Sequence, residues 1–183
     1  MITYKIHSGS IPQDIKLQIL SLLKAQWPEG FSGKNIERDW ISREEFHPTY
    51  IVLLDDEKTV VSFVAVVYKD VEHERMSYKT YGLSGMVTHP LYRKQGYGLK
   101  LIKKAKEYIE DQDGDIVLFK TILHGFYEKA GFEKGEDIKI TIGNPSNPQI
   151  DTEQVYMQFL SEKGKKGQKK FQSSPIHFGP TMW

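Results

Sequence analysis

The stretch Val87-Thr-His-Pro-Leu-Tyr-Arg-Lys-Gln-Gly-Tyr-Gly98 decides how the rest of the chain is interpreted. A strand-like segment precedes it, and a clearly amphipathic helical pattern follows it. Between them, Arg93-x-x-Gly96-x-Gly98 predicts a tight turn at the N-terminus of a helix. The first backbone N–H groups of a helix lack internal partners, the helix dipole favours negative charge there, and glycine allows close approach. We therefore interpret the turn as a cradle for a pyrophosphate group.

Length and charge fit one ordinary globular domain. The chain has 183 residues and a net charge of +1, but residues 161–183 contain five lysines against one glutamate. That segment carries +4 and the remainder −3. A mildly acidic body is compatible with a cationic substrate and is typical of a poor nucleic-acid binder. We expect no nucleic-acid partner.

The chain contains no cysteine, which excludes disulfides, thiolate catalysis and cysteine-based zinc sites. Its six histidines show no metal-binding spacing, so we expect no metal site. Lys16, Gln18 and Lys24 interrupt the N-terminal apolar run, which is unlike a signal peptide, and no segment is apolar for long enough to span a membrane. We expect a cytoplasmic monomer or homodimer with no membrane partner.

Apolar periodicity predicts the elements around the cradle. We expect strands at 2–7, 51–54, 59–68, 76–88, 116–119 and 155–160, and one that begins at Phe132 and resumes at 138–142. We expect helices from about residue 12 to 27, over 35–46, from the cradle to about 113, and over 124–130. The charged residues 69–75 are predicted as a turn. Residues 1–160 are predicted to form the domain, and residues 161–183 a lysine-rich linker and a tail that folds back.

A second motif, Gly125-Phe-Tyr-Glu-Lys-Ala-Gly-Phe132, follows the first with room for one helix and one strand between them. Together the two motifs resemble the hallmarks of the GNAT superfamily of N-acetyltransferases, over about residues 50–135. The resemblance implies an α/β fold of the α+β type. Its mixed, mostly antiparallel sheet would have six or seven strands, splayed between the fourth and fifth, with about four flanking helices.

The same resemblance implies acetyl-CoA as the acyl donor. Backbone N–H groups of the cradle would hold the pyrophosphate, and the edge of the fourth strand would pair with the pantetheine arm. Gly85 would mark the point where the strands part. The implied cofactor-binding residues are Met86, Val87, Thr88, Arg93, Lys94, Gln95, Gly96, Tyr97, Gly98 and Leu99.

Two residues are implied for catalysis. Tyr127 would protonate the leaving thiolate, with a packed aromatic side chain as the alternative. Many family members carry a carboxylate base on the fourth strand, and Ser84 stands there instead, where it can hold a water molecule. The general base is left open among bulk water and the surface residues Glu74, Asp39, His47 and His124. Lys120 replaces an asparagine that many members carry.

The chain is also distantly similar to the aminoglycoside 2'-N-acetyltransferases, through Asp39-Trp40, Tyr81-Gly-Leu-Ser-Gly85 and a tail that ends in Trp183. In the superfamily the first two helices and segments near the last strands form the acceptor pocket, which implies acceptor-binding roles for Trp27, Phe31 and Asp39. The similarity to the aminoglycoside enzymes adds Trp183. Trp183 is expected near the acceptor, or else docked elsewhere. The leading prediction is acetyl transfer to the primary amine of a small molecule. The alternatives are a protein or peptide N-acetyltransferase and a catalytically degenerate CoA-binding sensor.

Overall fold

The computed structural model describes every residue from Met1 to Trp183. None of its helices combines the length and the apolar content that crossing a bilayer requires. The elements, in chain order, are β1 (Ile2–His7), α1 (Gln13–Gln26), β2 (Thr49–Leu54), β3 (Val60–His73), β4 (Met76–Thr88), α2 (Tyr97–Asp111), β5 (Ile116–Lys120), α3 (His124–Lys129), β6 (Ile140–Ile142), β7 (Gln149–Asp151), β8 (Val155–Phe159), α4 (Glu162–Ser173) and β9 (Ile176–His177).

Six strands form one mixed sheet in the order β1-β2-β3-β4-β5-β8. The pairs β1–β2, β2–β3 and β5–β8 are antiparallel, whereas β4 and β5 are parallel. This arrangement confirms the predicted mixed sheet with four helices. A second sheet, in the order β7-β6-β9, was not predicted.

The pairing of β4 with β5 is short. Thr80 pairs with Ile116 and Tyr81 with Val117, and the register ends there. We expected the strands to part at Gly85, so the observed end of the pairing lies four residues earlier.

The chain divides into two compact units, and β3, β4 and α2 contribute to both. The N-terminal unit comprises residues 1–67 and 83–105, and the C-terminal unit comprises residues 68–82 and 106–183. In the N-terminal unit, every residue of β3 from Val60 to Val67 is buried. A continuous apolar run of this kind suits a strand that is covered on both faces.

In the C-terminal unit, residues expected to form a solvated linker form α4 instead, and that expectation is wrong. The Ser161 hydroxyl caps the helix by accepting from the N–H of Gly164 (3.0 Å). Phe171 is buried in the core of this unit. A Cβ added at Gly164 would overlap the carbonyl oxygen of Asp115, so this glycine allows close packing where the sequence suggested flexibility. The domain boundary at residue 160 stays a prediction.

Two other local predictions are also wrong. β3 continues to His73 because Val71 and His73 are buried, and the imidazole of His73 stacks on Phe171 with ring centroids 4.4 Å apart. The chain turns instead at Glu74 and Arg75, both with positive φ. Residues 35–46 form no α-helix, and short 3-10 turns lie at residues 33–35 and 44–46.

Candidate active site

The turn between β4 and α2 presents a row of free backbone donors. From Lys94 to Leu99 no backbone N–H donates to another group of the protein, whereas that of Lys100 donates to the carbonyl of Gly96 (3.0 Å). Lys94 and Gly96 have φ values of 62° and 83°. A Cβ on Gly96 would meet nothing within 4 Å, so the approach to this backbone is open. Successive free N–H groups in such a turn form an anion-binding concavity.

Side chains around the turn fix its position. The Arg93 guanidinium donates to the carbonyl of Thr88 and to the side-chain oxygen of Gln26, both at 3.0 Å. The Tyr92 hydroxyl donates to a carboxylate oxygen of Asp55 (2.7 Å). This hydrogen bond lowers the pKa of Asp55 and raises the pKa of Tyr92. The cradle is therefore anchored to α1 and to the β2–β3 turn, with the Arg93 side chain directed at protein groups.

The end of β4 is held against β3. The Ser62 hydroxyl donates to the carbonyl of Val87 (3.1 Å) and lies 2.9 Å from the hydroxyl of Thr88. Val87 is buried, whereas Met86 and Thr88 are partly exposed. These contacts leave part of the end of β4 accessible to solvent.

The N-terminal unit contains a recessed cavity of about 210 Å³ next to β4. It brings together three predicted site residues, Ser84, Trp27 and Phe31. Gly85, also in its wall, has a φ of 61°, and a Cβ there would lie 3.3 Å from Leu23. No carboxylate lines the cavity, whose walls are formed by Leu23, Trp27, Phe31, Arg38, Ile41, Ser42, Phe63, Ser84 and Gly85.

Arg38 is the cavity residue that sequence reasoning missed. Its guanidinium carbon lies 4.6 Å from the ring centroid of Phe31 and 4.0 Å from that of Trp40. Burial lowers the pKa of Arg38, and the nearby Tyr50 opposes that shift. An arginine flanked by aromatic residues within ten positions was the available signal.

Asp39 does not reach the cavity. Its carboxylate lies 3.7 Å from the ammonium nitrogen of Lys16 on α1, and its side chain is 86% exposed. It is absent from the cavity wall. The structure thus separates Asp39 from the other predicted acceptor residues of this unit.

Tyr127, in the C-terminal unit, is the buried residue of α3, and its exposed fraction is 6%. Its ring packs against Phe119 with centroids 4.8 Å apart. Burial raises the pKa of Tyr127 to about 12, so the phenol stays protonated in neutral solution. The ring has the packing partners of an ordinary core aromatic, while the hydroxyl is free of protein hydrogen bonds.

Trp183 folds back onto β4 and β5 within the C-terminal unit. Its indole N–H donates to the carbonyl of Leu118 (2.8 Å), and its ring meets Phe178 edge-on with centroids 4.6 Å apart. A Cβ added at Gly82 would overlap the indole. Gly82 and Leu118 directly follow the last paired residues of the two strands, so Trp183 lies where the pairing ends.

Residues 17–132 match the model of the Acetyltransferase (GNAT) family. The chain belongs to this family of acetyltransferases. No curated protein matches the chain. Family membership makes acetyl-CoA the cosubstrate and acetyl transfer the reaction class.

Solved structures with the same fold share little sequence with this chain. A GNAT family N-acetyltransferase (YhbS) from Escherichia coli in complex with CoA has a TM-score of 0.62 and 15% identity, over 96% of this chain and 88% of that one. Aminoglycoside 6'-N-acetyltransferase from Enterococcus faecium has a TM-score of 0.59 and 15% identity, over 88% and 98%. A GNAT family acetyltransferase from Staphylococcus aureus has a TM-score of 0.55 and 16% identity, over 87% and 100%. At such identities these likenesses establish the fold alone.

Proposed function

We propose that this GNAT protein transfers the acetyl group of acetyl-CoA to the primary amine of a small molecule. The observation that carries this proposal is the recessed cavity beside Ser84, with a volume of about 210 Å³. Trp27 and Phe31 give it aromatic walls that suit the apolar part of a small ligand. A peptide acceptor would instead require a groove that extends beyond this small cavity.

Acetyl-CoA supplies an acetyl group already activated as a thioester. In this proposal the free N–H groups from Lys94 to Leu99 bind its pyrophosphate, because they are unpaired donors at the N-terminus of α2. Met86, Val87 and Thr88 on β4 bind the pantetheine arm through their backbone. Arg93 contributes by fixing the turn through its hydrogen bonds to Thr88 and Gln26.

The chemistry requires a neutral amine and a protonated leaving group. The amine nitrogen forms the C–N bond as the C–S bond breaks, the nitrogen loses a proton, and sulfur gains one. In this proposal the hydroxyl of Tyr127, which burial keeps protonated, donates the proton that the sulfur gains. Because the cavity lacks a carboxylate, a water molecule held by Ser84 accepts the proton that the nitrogen loses.

The test is thiol release from acetyl-CoA with a panel of small amines, polyamines, aminoglycosides and peptides, and mass spectrometry of the products. We expect release with at least one small amine and an acetylated product of that amine. Faster acetylation of peptides than of every small amine would instead identify a protein N-acetyltransferase. Binding of acetyl-CoA without release on any amine would favour a CoA-binding sensor.

A further inference from the structure

Arg38 is the single charged side chain in the wall of the cavity beside Ser84. The other polar side chains there belong to Ser42 and Ser84, and the remaining wall is apolar or glycine. A lone cation in a recess that contains no other charged side chain restricts the charge of any ligand that enters.

Only neutral groups hold the Arg38 guanidinium. It donates to the carbonyl oxygens of Trp40 (2.9 Å), Ile41 (2.6 Å) and Gly30 (3.4 Å). Arginine has five N–H donors. Three of them are used in this way, which leaves one on each terminal nitrogen.

No carboxylate neutralises this cation. Asp39, the next residue, pairs with Lys16, and no ion pair of the structure includes Arg38. A guanidinium stays protonated in neutral solution even where burial lowers its pKa. A partly buried cation without a counter-ion is stabilised by an anionic ligand, and its planar fork matches a carboxylate.

We propose that the acceptor is a small amine that also carries a carboxylate, bound with the carboxylate on Arg38 and the amine beside Ser84. The inference rests on the proposed function and names its substrate class. The cavity volume of about 210 Å³ lies below the roughly 300–1,000 Å³ of sites for drug-sized ligands, so it suits a ligand of amino-acid size. A polycationic acceptor is disfavoured, because its ammonium groups are repelled by Arg38.

This arrangement also eases removal of the amine proton. In a free amino acid the carboxylate stabilises the neighbouring ammonium group. Pairing of the carboxylate with Arg38 cancels that stabilisation, and the positive guanidinium further favours the neutral amine. The nitrogen then forms the amide bond as the C–S bond breaks, its proton passes to water, and the sulfur takes the proton of the Tyr127 hydroxyl, so that CoA leaves as the thiol. A cavity without a carboxylate base is consistent with this route.

The test compares matched acceptors with and without the carboxylate. Thiol release is measured with leucine and phenylalanine, with the corresponding amides, and with a polyamine. For the wild-type enzyme we expect kcat/KM at least about tenfold higher for each acid than for its amide. In Arg38→Gln we expect the acid-to-amide ratio of kcat/KM to fall below about threefold, because KM for the acid rises. The ratio for Arg38→Lys is expected to lie between those of the wild-type enzyme and Arg38→Gln.

Arg43→Gln is the matched control. Arg43 belongs to the same loop and lies over the ring of Phe46 at 5.8 Å, outside the cavity wall. Because Arg38 also holds the loop, thermal unfolding is measured for each variant. The acid-to-amide ratio does not depend on the fraction of folded enzyme, so a loss of stability alone leaves it unchanged.

The possible outcomes separate this inference from the proposed function. Amides or polyamines that match the acids in the wild-type enzyme, or an unchanged ratio in Arg38→Gln, overturn the inference and leave acetyl transfer to small amines intact. Absence of release with every amine contradicts the proposed function. In that case, calorimetry compares the binding of leucine with the binding of its amide and tests the inference without turnover. Tighter binding of the acid that is lost in Arg38→Gln supports the inference, and equal binding of the two overturns it.

Discussion

The indole nitrogen of Trp183 donates a hydrogen bond to the carbonyl oxygen of Leu118 over 2.8 Å. Leu118 follows Val117, the last residue of β5 that pairs with β4. Gly82 of β4 also lies against the indole, and its lack of a side chain leaves room for the ring. The indole thus occupies the place where the next strand pair would form.

Gly82→Ala tests this contact. The added methyl group overlaps the indole, so either the ring or β4 must move, and we expect a loss of about 1–3 kcal/mol in the free energy of unfolding. Chemical denaturation measures this loss.

In the double variant with Trp183→Ala the added methyl group has space, so the two losses in the free energy of unfolding are expected to be non-additive. Gly9→Ala is the control, because a Cβ there meets nothing within 4 Å. Equal losses in Gly82→Ala and Gly9→Ala would contradict the contact.

Tyr127→Phe removes the proposed acid and keeps the packing against Phe119. We expect kcat to fall about 100-fold, at the low end of general acid catalysis, with little change in unfolding temperature. Because the pKa of Tyr127 is raised to about 12, the phenol stays protonated as pH rises towards that value. The wild-type rate is therefore expected to rise as the amine deprotonates and to show no alkaline decline below about pH 11. A change in kcat of less than about threefold in the variant would remove Tyr127 as the acid.

Gly96→Ala tests the cradle. The φ of 83° at Gly96 lies in the left-handed region, where a Cβ costs about 1–2 kcal/mol. Because space above the residue is open, the strain acts on the turn itself. We expect KM for acetyl-CoA to rise about tenfold and KM for the acceptor to stay within a factor of two. Parallel increases in both constants would argue that the turn supports the fold generally and does not bind the donor.

Gly164→Ala and Gly167→Ala test the packing of α4. A Cβ at Gly164 overlaps the backbone carbonyl of Asp115, whereas a Cβ at Gly167 lies 2.5 Å from the hydroxyl oxygen of Tyr78. A side chain can shift more readily than a strand end. Thermal unfolding is therefore expected to show a larger loss for Gly164→Ala than for Gly167→Ala, although alanine favours helices intrinsically. The reverse order, or stabilisation in both variants, would refute close packing of α4.

Elements with strong local signals were predictable from the sequence. β1 and β4 have the predicted bounds, and each strand ends at a turn. The cradle was recognisable because the glycine spacing, the preceding strand and the following helix all lie within a short stretch. Trp27, Phe31 and Ser84, which line the cavity, were also named from the family resemblance, because it indicates where the acceptor and the catalytic carboxylate lie in related proteins.

The remaining features depend on partners far away in the chain. The loop around Arg38 was predicted as a helix, but it is held instead by the Arg38 side chain, which donates to the carbonyls of Gly30, Trp40 and Ile41. α4 resembles a flexible linker until Tyr78 and Asp115 are placed beside its glycines. Such contacts form only when segments far apart in the sequence meet in the fold, so the spacing of residues along the chain does not predict them.

The three tryptophans of the chain give the two units separate optical reporters. Trp27 lines the cavity beside Ser84, and Trp40 lies under the guanidinium of Arg38. Trp183 belongs to the other unit. The emission of an indole depends on the electric field across its ring, and a ligand that neutralises Arg38 changes the field at Trp40. A carboxylate ligand bound in the proposed acceptor cavity is therefore expected to shift the tryptophan emission wavelength, which needs neither a thiol assay nor a label.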